Sequence, residues 1–362
     1  MTVSLSKKSI YHGLRIFLIL TLVGFSVVFY LTASRETWAA LKFFQFRFFL
    51  IALLLIAVDL FSGAGRIWIF IRKISDLSDW KAFQAAFKAN LSNIFLAAVT
   101  PFQTGGGLAQ IYMLNRYGIS AAGATSVSMM NLLATLFFLM TAGILVIRWM
   151  TQQYTDFKLQ FILSFSGGAF YVAFALFLIF LLRPMIMGKA LEWIILRLKF
   201  LSARENVVLK IESFVHAYQD HLKTFWRTDK MLLVHNFWFT GVLYFNKCLV
   251  AYVILRGMNL NPPFLEVVSF QILIIFLIYF CPTPGASFFA ETGTASLMSL
   301  IVAPHLVPIF SILWRFFTTY FGVILGGLIL MRTIGIAGQP AHDTAIPSIQ
   351  DKKSPRLVRN SL

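Results

Sequence analysis

The sequence predicts an all-α polytopic membrane protein with about six full spans and two opposed, broken or re-entrant helical hairpins in an inverted pseudo-repeat. Three observations predict it. Of 362 residues, 59% are hydrophobic and only 12% charged, and the apolar runs recur at the roughly 20-residue length that crosses a bilayer. The 31 Lys and Arg residues, against 14 Asp and Glu, fall mainly in short inter-helix loops. There they mark a cytoplasmic face, and they attract anionic lipid heads where a soluble basic protein would attract nucleic acid. Finally, two apolar stretches are interrupted, at Thr100-Pro101-Phe102-Gln103-Thr104-Gly105-Gly106-Gly107 and at Pro282-Thr283-Pro284-Gly285. Lipid offers a broken backbone no hydrogen bonds, so such breaks survive at membrane depth only beside a protein-enclosed or watery cavity.

The spans run over 14–33, 44–66, 121–147, 160–182, 231–255 and 308–332, with the broken segments at 89–118 and 264–302. Lys7, Lys8 and Arg15 precede the first run. Its length and the lack of a small-residue cleavage site favour a retained helix over a secretory signal. With the N-terminus inside, segments 1–15, 66–90, 115–120, 183–230 and 332–362 carry 23 basic residues and the outer loops 6. That asymmetry places both termini in the cytoplasm. Three spans then separate the two breaks, so one is entered from each side, the plan by which many transporters place a site near the midplane.

Residues 1–333 read as one membrane domain. Within it, 183–230 alternates nine basic and five acidic residues with apolar ones, which suits a cytoplasmic connector of amphipathic helices on the membrane surface. The tail 334–362 holds Pro340, Pro347 and Pro355 among scattered charges and reads as disordered. Cys248 and Cys281 lie in apolar segments as free thiols. No Cys/His spacing suggests a metal, and no motif asks for a cofactor.

Polar residues within spans cost free energy and need a reason. Asn90 and Asn93 lead into the first break, suited equally to a head group or to bonding between helices. Gly105 and Gly106 let the backbone approach a ligand or a neighbouring helix and leave amides that an anion can use. Gln103, Gln110, Tyr112, Asn115 and Arg116 follow with further donors. In the second half, Glu291 and Arg315 are the strongest candidates: an ionised carboxylate in a span costs about 2.5–3.5 kcal/mol on insertion scales, and Arg315 is its evident partner. Arg315, Thr318, Thr319, Gly322 and Gly326 share a small, polar helical face. Asp59 and Lys247 are weaker candidates, paired or snorkelling.

Thr100-Pro101-Phe102-Gln103-Thr104-Gly105-Gly106, followed by Gln110-Ile111-Tyr112, Leu114 and Gly118-Ile119, resembles the first signature of the flippase-like proteins related to the lysylphosphatidylglycerol synthase transmembrane region. Pro282-Thr283-Pro284-Gly285-Ala286-Ser287, Glu291, Trp314-Arg315, Tyr320 and Gly322 resemble the second. The similarity covers about residues 10–335. This chain departs from the family pattern at Gly285-Ala286-Ser287-Phe288-Phe289, where Gly-Gly-Ser-Gly-Val is usual. The resemblance implies a translocase, in a prokaryotic cytoplasmic membrane, for an anionic, aminoacylated or polyprenyl-linked lipid. Its partners would be lipids with anionic head groups, and it would need neither cofactor nor nucleic acid. It does not imply synthesis, because only about 30 residues follow the last span, where the multiple peptide resistance factors carry an aminoacyl-transferase domain. An integral-membrane transferase acting on a lipid phosphate, and a non-transporting scaffold, are the alternatives.

Overall fold

A computed structural model describes residues 7–37, 44–153, 230–279 and 281–337, together with residue 175. The span expected at 160–182, nearly all of the connector 183–230 and the tail beyond 337 lie outside the described residues. Ten helices carry the described fold: α1 Lys7–Thr32, α2 Phe46–Ile74, α3 Asp79–Ala98, α4 Gly105–Arg116, α5 Ala121–Gln153, α6 Lys230–Gly257, α7 Phe264–Tyr279, α8 Phe289–Met298, α9 Val307–Arg315 and α10 Phe321–Ala337. The described residues contain five stretches long and apolar enough to cross a membrane: Lys7–Thr32, Phe46–Ile74, Ala121–Met150, Lys230–Gly257 and Pro304–Gly335. Their outward residues are themselves apolar, as at Leu22 and Leu145. Such faces suit lipid as the solvent.

α3 and α4 form an antiparallel hairpin. Asn93 Nδ2 donates to Gln110 Oε1 at 3.2 Å, and nearer the open end the Lys88 ammonium lies 5.6 Å from the centre of the Tyr117 ring. The twelve residues of α4 rise only about 18 Å, roughly half of the hydrocarbon core. The Pro101–Gln103 turn at the tip therefore lies at membrane depth. The second hairpin joins α7 to α8, of 16 and 10 residues, through the turn Pro284–Ala286.

Contacts between helices fix the direction of each hairpin. α2 and α6 run antiparallel, since Gly65 meets Phe239 near one end and Gly257 meets Phe44 and Phe48 near the other. The first hairpin opens at the end where α2 finishes, and the second at the end where α6 finishes. They enter from opposite faces, and their tips pack together between the faces. Small residues allow the close approaches: a Cβ on Gly326 would stand 2.0 Å from the Leu91 carbonyl oxygen, and one on Gly13 would stand 2.1 Å from that of Val99.

Several boundaries differ from the sequence reading. α10 continues to Ala337, beyond the expected start of the tail, because Ile334 still packs on the inner apolar core. α2 continues to Ile74, so Arg66 is not a loop charge. It is buried two turns inside the helix. Removing it from the loop tally leaves the charge asymmetry intact.

Candidate functional site

The two tips have the same construction. Thr100-Pro101-Phe102-Gln103-Thr104 and Thr283-Pro284-Gly285-Ala286-Ser287 each begin on an extended Thr followed by Pro. Each then takes two left-handed residues, Phe102 and Gln103 at φ 52° and 56°, and Gly285 and Ala286 at 58° and 54°. Each closes with the fifth residue's amide donating to the proline carbonyl, at 3.1 and 3.0 Å. Thr100 Oγ1 accepts from Gly105 N and donates to the Leu96 carbonyl, while Thr283 Oγ1 donates to the Ser287 carbonyl. A threonine hydroxyl thus takes up backbone groups released by the break, as lipid-embedded structure requires.

Behind the second tip lies an ion pair. Arg315 Nε donates to Glu291 Oε1 at 2.7 Å, with side chains 2% and 0% exposed. The same guanidinium donates through Nη1 to Thr319 Oγ1 and through Nη2 to the Gly285 carbonyl, both at 3.2 Å. Arg315 therefore grips the strained tip itself. Thr21 on α1 shares a hydrogen bond with Ser287 at 2.9 Å, and the Phe17 ring lies edge-on to Tyr320. Immediately after Arg315 the helix widens into a π turn, Phe316–Tyr320.

Between the hairpins, α2, α5 and α6 is a cavity of about 510 Å³. From the first hairpin it is lined by Asn90, Asn93, Phe102, Gln103, Thr104, Gly106, Gly107 and Gln110, and from the second hairpin and α9–α10 by Gly285, Arg315, Thr318, Thr319 and Gly322. Phe102 and Thr104, at the first tip, are exposed residues that line it. Gln110 Nε2, Ser128 Oγ, Asn131 Oδ1, Gln271 Oε1 and Trp314 Nε1 are buried on its walls without a partner among the described residues. Unmet donors and acceptors of this kind favour a polar occupant.

The candidates from sequence divide by position. Asn90 Nδ2 donates to the Leu60 carbonyl at 3.3 Å, bonding α3 to α2 while facing the cavity. Gln103 Nε2 donates to the Ile278 carbonyl at 3.2 Å and ties the first tip to α7. Gly105 and Gly106 serve close helix approach: a Cβ on either would come within 2.7 or 2.8 Å of Thr100 or Asn93. The Gly105 amide is already taken by Thr100. Thr100, Pro101 and Pro284 shape the turns without lining the cavity, and Glu291 sits behind Arg315. Tyr112 packs on the inner apolar core and Arg116 is exposed at the end of α4. The structure does not bring these two to the cavity.

The structure adds residues that the sequence reading left elsewhere. Lys247 Nζ lies 3.0 Å from Asp59 Oδ1, so the two weaker candidates pair with one another on the cavity wall. Arg66, Asn131, Thr135, Tyr244, Gln271 and Tyr279 line it as well. The signal for Arg66 was its sequel: Ile67-Trp68-Ile69-Phe70-Ile71 carries the span onward past the charge.

A family model described as the lysylphosphatidylglycerol synthase TM region matches residues 14–326. The match takes in most of the chain, and the protein belongs to this family of multi-pass membrane proteins. No curated protein and no solved structure matches it.

Proposed function

We propose that this member of the lysylphosphatidylglycerol synthase transmembrane family moves the head group of an anionic, aminoacylated or polyprenyl-linked lipid between leaflets, the tails remaining in the bilayer. The observation that carries the reading is the cavity itself. It carries polar side chains with unmet hydrogen-bonding groups among an apolar lining, and lies where two hairpins from opposite faces meet tip to tip. Opposed broken helices around a midplane site are the arrangement that supports alternating access in membrane transporters. A transferase is the poorer fit. Glu291 is held by Arg315 away from the cavity, and the carboxylate on its wall, Asp59, is paired with Lys247, whereas a general base must be free to reach the group it deprotonates.

Reconstitution tests this directly. Purified protein in liposomes carrying a head-group-labelled phospholipid should accelerate loss of the label to an impermeant quencher, and Gly322→Phe, which fills the cavity, should stop it. Equal rates in protein-free liposomes would end the proposal.

We further propose that both termini lie inside, in a cytoplasmic membrane; the charge asymmetry supports this orientation. In a background without Cys248 and Cys281, a cysteine at Asp76 should resist an impermeant thiol reagent in intact cells, and one at Asn261 should react. The opposite pattern inverts the orientation.

A further inference from the structure

One buried charge has no role in the reading above. Arg66 is 7% exposed and lines the cavity eight residues before the end of α2, roughly 10 Å along the helix from Asp59. Its guanidinium is held by neutral groups: Nε donates to Asn236 Oδ1 at 3.5 Å, and Nη2 donates to Thr135 Oγ1 at 2.9 Å and to the Asn131 carbonyl. Asn236 is itself oriented by donating to the Met130 carbonyl at 3.1 Å. Nη1 has no partner, and no carboxylate lies within ion-pair distance of Arg66 among the described residues. The carboxylate on the same wall, Asp59, is engaged by Lys247.

Neutral acceptors orient a guanidinium without neutralising it. A charge taken out of water without a counterion costs several kcal/mol, and intramembrane charges commonly face a substrate path. The remaining charges around the cavity cancel: Asp59 with Lys247, and Glu291 with Arg315. Among the described residues one positive charge is left, with a free edge of a planar fork suited to phosphate oxygens.

We infer that Arg66 is the anchor for the single negative charge of a lipid phosphodiester, forming a subsite separate from the hairpin tips and nearer the face at which α2 ends. Thr135 and Asn236 are positioning residues that hold the fork open. The inference rests on the translocation reading for its role, but binding is measured apart from transport. A protein that binds as expected and moves no lipid would defeat that reading and leave this one standing.

The test uses the full chain in detergent, with phosphatidylglycerol and diacylglycerol of identical chains as probes. A charge-assisted contact predicts a preference for phosphatidylglycerol of about tenfold or more. Arg66→Gln should erase the preference, and Arg66→Lys should keep part of it. Thr135→Asp guards against misfolding, since it gives the guanidinium an internal carboxylate while cancelling its charge. It too should erase the preference. Lys88→Gln, away from the cavity, should change nothing. The inference fails if the wild-type protein binds both lipids equally, if either neutralising variant keeps the preference, or if Lys88→Gln also loses it. It fails too if inorganic phosphate binds in an Arg66-dependent way while phosphatidylglycerol does not, which would mark a small-ion site.

Discussion

The two hairpin tips share a backbone and differ in everything around it. At the second, Pro284, Gly285 and Ala286 are all buried, enclosed by Phe17 and Thr21 of α1 and gripped through the Gly285 carbonyl by Arg315. At the first, none of Pro101, Phe102 and Gln103 is buried, and Phe102 is 56% exposed. Left-handed backbone costs roughly 1–2 kcal/mol at a residue other than glycine. The second tip meets this cost within dense packing and beside an ion pair, the first with the Gln103 bond to α7, the Thr100 bonds to Leu96 and Gly105, and its contact with the second tip. One tip is enclosed and anchored, the other is exposed, and both contribute to the cavity lining.

The sharpest way to break this comparison is to unpair the anchor. Glu291→Gln or Arg315→Gln alone strands a buried charge and should lower stability by roughly 3–5 kcal/mol, read as a large fall in the thermal midpoint in detergent. The double substitution should recover much of that loss yet leave translocation dead. Single variants as stable as the parent would show that the second tip is not anchored by this pair. A double variant that transports normally would make the pair structural only.

Next in size is the hairpin of the first tip. Gly106→Leu drives a side chain into Asn93 and Ala97. Overpacking of this kind costs about 1–3 kcal/mol, and transport should be lost while the protein still inserts. Full activity in this variant would remove the first tip from the site.

The two left-handed pairs can then be contrasted directly. Gly285→Ala meets both φ 58° and a contact of 2.8 Å with the Ala98 carbonyl oxygen, and should destabilise by about 1–3 kcal/mol. Phe102→Gly relieves the same conformation where the side chain is exposed, and should leave stability unchanged or raise it by up to about 1 kcal/mol. Equal losses in chemical denaturation would mean that the tips are packed alike.

The smallest effect concerns the departure from the family pattern. Of the positions where Gly-Gly-Ser-Gly is usual, Gly285, Ala286 and Phe288 have φ of 58°, 54° and 74°, and Ser287 is the one whose φ is negative. This chain therefore places Ala and Phe where glycine would be unstrained. Ala286→Gly should raise stability by about 0.5–1 kcal/mol. A loss would show that the Ala286 methyl group, buried beside Cys281 and Ala290, contributes more by packing than its backbone costs.

Much of this was legible in the sequence, and the reasons are physical. Hydropathy and length marked the long spans, because lipid tolerates little else. Pro and Gly marked both breaks, and the charge of Glu291 within a span demanded a partner that Arg315 alone supplied nearby. The paired construction of the tips was also written there, as Thr-Pro followed, after two intervening residues, by Thr or Ser. It was hidden because glycines follow the first turn and lie within the second. Arg66 was taken for a loop residue because a basic side chain near the end of a span ordinarily marks the membrane boundary. The pairing of Asp59 with Lys247 depends on α2 lying against α6, a tertiary contact that no local pattern announces. Gly105 and Gly106 were visible as close-approach residues, but only packing shows that a helix occupies the approach.

The π turn at Phe316–Tyr320 makes α9–α10 a jointed connecting rod. At one end Arg315 is fastened to the second hairpin, through Glu291 and Gly285. At the other, Gly322 and Gly326 bear on Ile94 and Leu91 of the first. The seven-residue step from Arg315 to Gly322 spans roughly 10 Å at α-helical rise, and a regular helix would transmit displacement of one hairpin to the other almost without loss. A π turn carries one residue more than an α turn in that interval. Winding it in or out changes both the length of the rod and the rotation of Arg315 relative to the glycines. A displacement of one hairpin past the other would thereby be converted into a twist at the ion pair, and a pull on Arg315 into a shift at the first hairpin.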